Sequence, residues 1–263
     1  MINIAKELIN KYHSNQVDKG GNPYIDHLMY VSENMVSEIG KTAGLLHDIK
    51  EDTLITDDIL TNKGISQEVI KIINILTRNK DQSYSEYIDS IINSNNIIAM
   101  NIKKIDLSHN MDITRIPNPS DKDYKRIATR YKKAYEKINK KLLELNSITT
   151  INLYLDDLRK CPKGFIIART YEDAIFYLKH NNINILSLDH DLGEKDEVLL
   201  KTGYDFVKFL CENEIKNIEN IYIHTDNPVG RDNMYETLKC GVRHNLLNDK
   251  LNIYNYPLTP NKY

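Results

Sequence analysis

Apolar residues recur every three to four positions through the first 146 residues. Ile4, Ala5, Leu8, Ile9 and Tyr12 fall at helical spacing, as do Leu28, Val31 and Met35, and again Val69, Ile72, Ile73 and Leu76. Residues 121–145 lack Gly and Pro and are rich in Lys, Arg and Glu, which predicts one long helix. The run Ile116-Pro117-Asn118-Pro119-Ser120 precedes it as a break with an N-cap candidate. After Asn146 the period changes. Short apolar runs at 151–155, 165–168, 183–188, 221–224 and 251–254 alternate with helical patterns at 171–179, 203–212 and 231–238. That alternation predicts βα units on a parallel sheet. The chain is thus expected to form two domains, an all-α domain at 1–146 and an α/β domain at 147–263, with the boundary near Asn146–Thr150.

Composition changes this picture little. The chain has 263 residues, 41% hydrophobic and 27% charged, enough to bury a core without disulfides. Cys161, Cys211 and Cys240 are odd in number and lack metal-type spacing, so they are expected as reduced thiols in a cytoplasmic protein. No apolar run approaches the roughly 20 residues of a membrane span, and the N-terminus lacks a signal-peptide layout. A net charge of −2 gives no global attraction to duplex nucleic acid or to an acidic membrane. Oligomeric state is not legible.

Chemistry concentrates in the helical half at Leu45-Leu46-His47-Asp48-Ile49-Lys50-Glu51-Asp52-Thr53. On a helix, His47 and Glu51 share one face and Asp48 and Asp52 another. Three carboxylates this close repel unless a cation sits among them. Upstream lies Pro23-Tyr24-Ile25-Asp26-His27, and downstream Asp106-Leu107-Ser108-His109-Asn110-Met111, with Asp106 and Asn110 on one face. His27, His47, Asp48 and Asp106 form a mixed N/O set that suits Mn²⁺, Fe²⁺ or Zn²⁺ and leaves positions open for water and substrate. A neighbouring carboxylate, Glu51 or Asp52, suits the handling of that water. Singly, each residue has a bland reading: His27 structural on an amphipathic helix, His47-Asp48 a buried pair, Asn110 a cap. Jointly they favour the metal. His13 and His109 are read as structural, with His109 facing away from the set. The cations of 121–145 are read as a solvated face, the sharper option being that Arg126 or Arg130 reaches a substrate phosphate.

These three segments, in this order, resemble the hydrolase domain of the RelA/SpoT alarmone enzymes and their small stand-alone relatives, within the HD superfamily. The resemblance covers roughly the first 115–140 residues. It implies an all-α HD-domain bundle, one Mn²⁺ on His27, His47, Asp48 and Asp106, water handling by Glu51 and Asp52, nucleotide binding by Asn110, and removal of the 3′-pyrophosphate of ppGpp or pppGpp. The family's usual Arg before the Pro-Tyr-Ile segment is absent: Asp18 stands there, and the adjacent Lys19 substitutes only in part, lacking the planar fork of Arg. No Gly-rich phosphate loop for alarmone synthesis is present.

In the α/β half, Asp156-Asp157, Asp189-His190-Asp191-Leu192-Gly193 and His224-Thr225-Asp226-Asn227-Pro228-Val229-Gly230 each come directly after an apolar run. Ligands of open parallel sheets gather at the carboxyl ends of strands, so the three clusters are expected to meet. They resemble receiver domains, which are flavodoxin-like. More closely, over about 151–240, they resemble the branch called the cyclic-phosphate-processing receiver domain. The receiver resemblance implies Mg²⁺ on Asp156, Asp157 and Asp189, with Asp189 as phospho-acceptor and Thr225 as the hydroxyl after the fourth strand. Asn227 lies in the segment that carries the closer likeness and is taken as a ligand contact. Asn255-Tyr256-Pro257 replaces the usual Lys-Pro. His190 and His224 are acid–base candidates, with metal ligation or a hydrogen-bonded core role as alternatives. The link 157–164 is short for a parallel crossover: either its helix is lost or the strand order differs.

The expected function is metal-dependent hydrolysis of a phosphorylated nucleotide, with a receiver-like domain that binds Mg²⁺ and a phosphate-containing ligand. Two rivals are a phosphodiesterase that processes cyclic nucleotides or cyclic-phosphate ends with both domains, and a non-catalytic nucleotide sensor.

Overall fold

A computed structural model describes residues 1–145, 149–195 and 198–258. The chain divides into two compact units, Met1–Ser147 and Ile148–Tyr263. The expected boundary falls partly on residues 146–148, outside the described residues.

The first unit is helical: α1 Ile2–His13, α2 Tyr24–Glu33, α3 Glu38–Leu46, α4 Ile49–Asp52, α5 Asp57–Asn62, α6 Gln67–Leu76, α7 Tyr84–Asn93, α8 Ile97–Met111, α9 Asp121–Arg126 and α10 Lys132–Glu144. Side-chain oxygens start many of them. Ser37, Ser66 and Asn96 accept from the first-turn N–H groups of α3, α6 and α8, and Ser83 with Glu86 closes a capping box on α7. The periodic residues Ala5, Leu8, Ile9, Leu28, Val31, Val69, Ile72, Ile73 and Leu76 are buried, as their spacing predicts. Helix α8 buries residues on nearly every side, including Lys104, Asp106 and Ser108, which makes it the central helix of the unit. Gly44 lets α3 approach α2 closely: a Cβ there would meet the Ser32 backbone at 3.1 Å. This contact brings the α2 histidine toward the end of α3.

Two elements differ from their sequence patterns. The His47–Asp52 stretch is not one helix. Helix α3 ends at Leu46, His47 and Asp48 form a turn, and α4 is a single turn that begins at Ile49. The 121–145 helix is interrupted by a π turn at Ile127–Tyr131, where the Lys132 N–H bonds back to Ile127.

The second unit is α/β: β1 Thr150–Leu155, β2 Ile166–Ala168, α11 Tyr171–His180, β3 Asn182–Leu188, β4 Glu194–Lys195, β5 Val198–Leu199, α12 Gly203–Glu212, β6 Ile218–Ile223, α13 Pro228–Arg243 and β7 Asn252–Tyr254. Five strands form an all-parallel sheet in the order β2-β1-β3-β6-β7. With the five counted along the chain this is the flavodoxin-like order 2-1-3-4-5. The short first crossover is resolved in favour of a lost helix: residues 156–165 carry none. Strand β6 begins earlier than its apolar run and stops before His224, and α13 extends well beyond 231–238. The small β4–β5 hairpin has no counterpart in the sequence pattern. Among the described residues, no helix is long and apolar enough to cross a membrane, and the three cysteines are free thiols.

Candidate functional site

In the helical unit, α2, the α3–α4 turn and α8 supply one cluster. On a continuous helix, adjacent side chains point about 100° apart. The His47–Asp48 turn removes that divergence: His47 Nε2 lies 3.0 Å from Asp48 Oδ2. The pair is close but not aligned as a hydrogen bond, and the buried His47 Nε2 has no hydrogen-bond partner. His27 Nε2, from α2, lies 3.9 Å from Asp48 Oδ2 and 3.3 Å from Asp106 Oδ1. Ligand atoms of His27, His47 and Asp48 all fall within 4.8 Å of one another. Asp106 stands beside them with both oxygens engaged, Oδ2 by Lys103 Nζ at 2.7 Å and Oδ1 by Asn110 Nδ2 at 2.5 Å.

The ring orientations suit a metal centre. His47 Nδ1 donates to the Gly44 carbonyl at 2.8 Å, and His27 Nδ1 lies 2.7 Å from His109 Nδ1. Both imidazoles therefore turn Nε2 toward the carboxylates, the nitrogen through which each would bind an ion. His109 does not face away, as its sequence position suggests. It stacks on Tyr30 and His27, and burial, then the nearby His27 and Arg115, keep it neutral and able to accept from His27. The orphaned buried Nε2 and the two-imidazole, two-carboxylate donor set fit a divalent ion.

Charge tightens the cluster. Burial works to raise the Asp48 and Asp106 carboxyls, yet His47 holds Asp48, and Lys103 with His27 holds Asp106, below the ordinary range. Burial works against His47, but the Asp48 charge pushes it up to about 9. Tyr24, half-buried and hydrogen-bonded through its hydroxyl to Asp48 Oδ2 at 2.5 Å, is driven well above the usual phenol range by desolvation and the Asp48 charge. Asp52 lies within electrostatic reach of Asp48, His47 and His27; desolvation, then the Asp48 charge, raises its carboxyl. Glu51 is turned elsewhere, its Oε1 accepting from the Arg78 N–H at 2.6 Å.

A cavity of 340 Å³ opens beside the cluster. Tyr24, His27, Asp48, Asp106 and Asn110 lie on one part of its wall, and Lys19, Lys103, Arg115, Arg126 and Arg130 supply its positive charge. The solvated-face reading of 121–145 is therefore corrected for Arg126 and Arg130. The π turn carries Arg130 onto Tyr84, its guanidinium carbon 3.7 Å from the ring centroid. Asp18, at the position of the missing Arg, pairs with Arg115 at 2.5 Å. Burial and the charges of Arg126 and Arg130 lower the Lys19 ammonium, so these cations crowd one another. Neither Glu51 nor Asp52 lines this cavity. Sequence reasoning missed Tyr24, Lys103, Tyr84 and Arg115. Lys103 was legible, being three residues before Asp106 on one helix; the others needed the fold.

In the α/β unit, register builds a second cluster. Leu155, Leu188 and Ile223 are neighbours across β1, β3 and β6, so the next residue along each strand, Asp156, Asp189 or His224, takes its place in a row at the carboxyl edge. Ligand atoms of these three lie within 4.8 Å of one another, a possible metal-binding group. His224 is buried and stacked on Tyr154. Its Nδ1 takes the Ser187 hydroxyl at 2.8 Å and its Nε2 meets Asp156 Oδ2 at 3.0 Å. With both nitrogens committed it matches the hydrogen-bonded core alternative. Ser187 is fully buried, so this Ser–His–Asp array presents no nucleophile to a ligand. Arg159 donates to Asp156 Oδ2 at 3.0 Å, to Asp189 Oδ2, and to Asp226 Oδ2 at 2.6 Å. Asp157 is not in the row; its carboxylate lies against Gly193. His190 Nδ1 lies 2.7 Å from Asp191, and its ring packs on Gly230 at the start of α13, where a Cβ would sit 2.3 Å from it. Asn227 caps α13 through Gly230 N at 2.9 Å and reaches His190 at 3.4 Å, while Thr225 Oγ1 accepts from Asn227 N.

A family model described as the cyclic-phosphate processing receiver domain matches residues 151–240. No curated protein matches the chain. Among solved structures, the chain is similar to one described as "A metazoan ortholog of SpoT hydrolyzes ppGpp and plays a role in starvation responses". The identity is 20%, the TM-score 0.44, and the match covers 56% of this chain and 90% of that chain.

Proposed function

We propose that the helical unit is a divalent-metal phosphohydrolase that acts on a phosphorylated nucleotide, with the 3′-pyrophosphate of (p)ppGpp as leading substrate and Mn²⁺ as leading metal. One observation carries the reading: the His27 imidazole from α2 and the His47 imidazole and Asp48 carboxylate from the α3–α4 turn converge beside a cavity lined with cations. The order of the three motifs, with its resemblance to alarmone hydrolases, supports the nucleotide. A divalent ion on His27, His47, Asp48 and Asp106 would supply charge neutralisation at phosphorus and a lowered pKa for water.

The chain's own residues do the rest. Lys103 and Asn110 hold the Asp106 carboxylate in a fixed orientation. Asp52, its carboxyl raised by desolvation, suits the acceptance of the water proton, and Glu51, tied to the Arg78 backbone, supports the turn that carries Asp52. Lys19, Arg115, Arg126 and Arg130 offer charge-assisted hydrogen bonds to phosphate oxygens. In the α/β unit we read His190 as the group that meets a phosphate-containing ligand, with Asn227 beside it.

The test is a panel of ppGpp, other nucleotides, cyclic nucleotides and 2′,3′-cyclic phosphates with Mn²⁺, comparing the parent with Asp48→Ala. A fall of about 10³-fold in kcat for ppGpp is expected, since a metal supplies several kcal/mol of transition-state stabilisation. Equal rates in Asp48→Ala and the parent defeat the assignment. Tight nucleotide binding without turnover of anything on the panel makes the unit a sensor.

A further inference from the structure

The acidic cluster at the strand ends of the α/β unit contains a permanent positive charge of its own. Arg159 Nη1 engages both Asp156 and Asp189, the two buried carboxylates of the strand edge, and Nη2 engages the exposed Asp226. A guanidinium stays protonated at any physiological pH, and its planar fork can serve several carboxylates at once. Both Asp189 oxygens are thereby used, Oδ2 by Arg159 and Oδ1 by the His190 N–H at 2.7 Å. Both Asp156 oxygens are used as well: Oδ1 accepts from the Leu158 and Arg159 N–H groups, and Oδ2 from Arg159 and His224.

The backbone fixes the arginine there. Without a helix after β1, the chain turns back over the strand ends through the Asp156 side chain, which accepts from the backbone two and three residues on. Arg169 then clamps this turn, donating from Nη1 to the Asp156 carbonyl at 3.1 Å and to the Arg159 carbonyl at 2.8 Å. Asp157, the other member of the acidic pair, is directed to the Gly193 loop. A receiver-type Mg²⁺ site needs these carboxylates converging on an ion; here Asp156 and Asp189 converge on Arg159 and Asp157 is turned away.

We propose that Arg159 is the resident cation of the α/β unit, standing where a receiver would bind Mg²⁺, so that this strand-end cluster meets its ligand without a divalent ion. An ion entering from solution must displace a tethered guanidinium from two buried carboxylates at once. Of these three carboxylates the exposed Asp226 is the one that can leave cheaply, and its departure frees Nη2 for a phosphate-type anion at the strand ends.

The experiment counts bound Mn²⁺ on the full chain by calorimetry and by electron paramagnetic resonance of the free ion, in the parent, Asp189→Asn, Arg159→Gln and the Arg159→Gln/Asp189→Asn double variant. The same Mn²⁺ count is expected in the parent and in Asp189→Asn. Arg159→Gln should gain a further site at least tenfold tighter than any ion binding to this unit in the parent, and lose it again in the double variant. A parent ion that disappears in Asp189→Asn overturns the proposal. So does a folded Arg159→Gln that gains nothing. Should Arg159→Gln fail to fold, the parent and Asp189→Asn comparison still decides. Asp48→Ala reports separately on the helical unit, so failure of the phosphohydrolase reading is distinguishable from failure of this one.

Discussion

At the residue scale, the informative side chains hold other side chains. His109 gives His27 its hydrogen-bond partner and so selects the nitrogen that faces the carboxylates. Partners of this kind are worth 10- to 100-fold in metal affinity. His109→Phe keeps a flat ring against Tyr30 and removes the acceptor, so the Mn²⁺ dissociation constant should rise by about 10- to 100-fold with little loss of kcat at saturating metal. Calorimetric titration beside steady-state kinetics measures both. Lys104 is a second such residue. The residue is 2% exposed on α8, its ammonium donates to Asn139 at 2.5 Å, and burial lowers it to about 7. Between that value and its ordinary 10.5 the unfolded chain binds the extra proton and the folded chain does not. Stability therefore rises with pH through this window. Lys104→Met should flatten the rise and increase stability at pH 7; denaturant unfolding at pH 7 and pH 9.5 for parent and variant provides the check. An equal slope in both proteins would show that Lys104 is not its source.

At the element scale, two irregularities build the helical site. The break at His47–Asp48 is one, since adjacent residues reach a common point only off a regular helix. The π turn at Ile127–Tyr131 is the other. One extra residue in a turn rotates the helix on its N-terminal side by about 100° relative to the helix on its C-terminal side. Helix α10 is anchored by buried Tyr135, Ile138 and Leu142, so the rotation falls on Arg126 and its neighbours. Deleting Ala128 should restore a regular helix and carry Arg126 off the cavity wall. The expected result is a KM for the nucleotide raised by about 10-fold or more, the worth of one charge-assisted hydrogen bond, with melting temperature changed little. An unchanged KM would mean that the π turn does not position the cations. Neither irregularity was visible as periodicity, because His47–Asp52 and 121–145 both carry unbroken helical patterns. The sheet was more legible: its main strand sites and its parallel pairing are written in short apolar runs, while the short first link left a lost helix and a different strand order both open until the fold decided for the former.

At the scale of the whole molecule, each unit builds its candidate site from its own residues, and the two sites differ in how they meet negative charge. The helical unit gathers two carboxylates around two imidazoles, a donor set that suits an external cation. The α/β unit sets a half-buried arginine against its buried carboxylates. The sequence by itself determined the two-part layout, the helical and α/β classes, and most of the residues that converge: His27, His47, Asp48, Asp106 and Asn110 in one unit, Asp156, Asp189, His190 and His224 in the other. Such information is local, carried by spacing along a helix and by position after an apolar strand. Tertiary structure alone decided which atoms of those residues are engaged. It turned His109 inward, drew Arg115, Arg126 and Arg130 to one cavity, committed both nitrogens of His224, and laid Arg159 across the strand ends. Those outcomes depend on turns and on approaches between segments far apart in the chain, where burial and charge must be satisfied jointly, and no periodicity in the sequence records them.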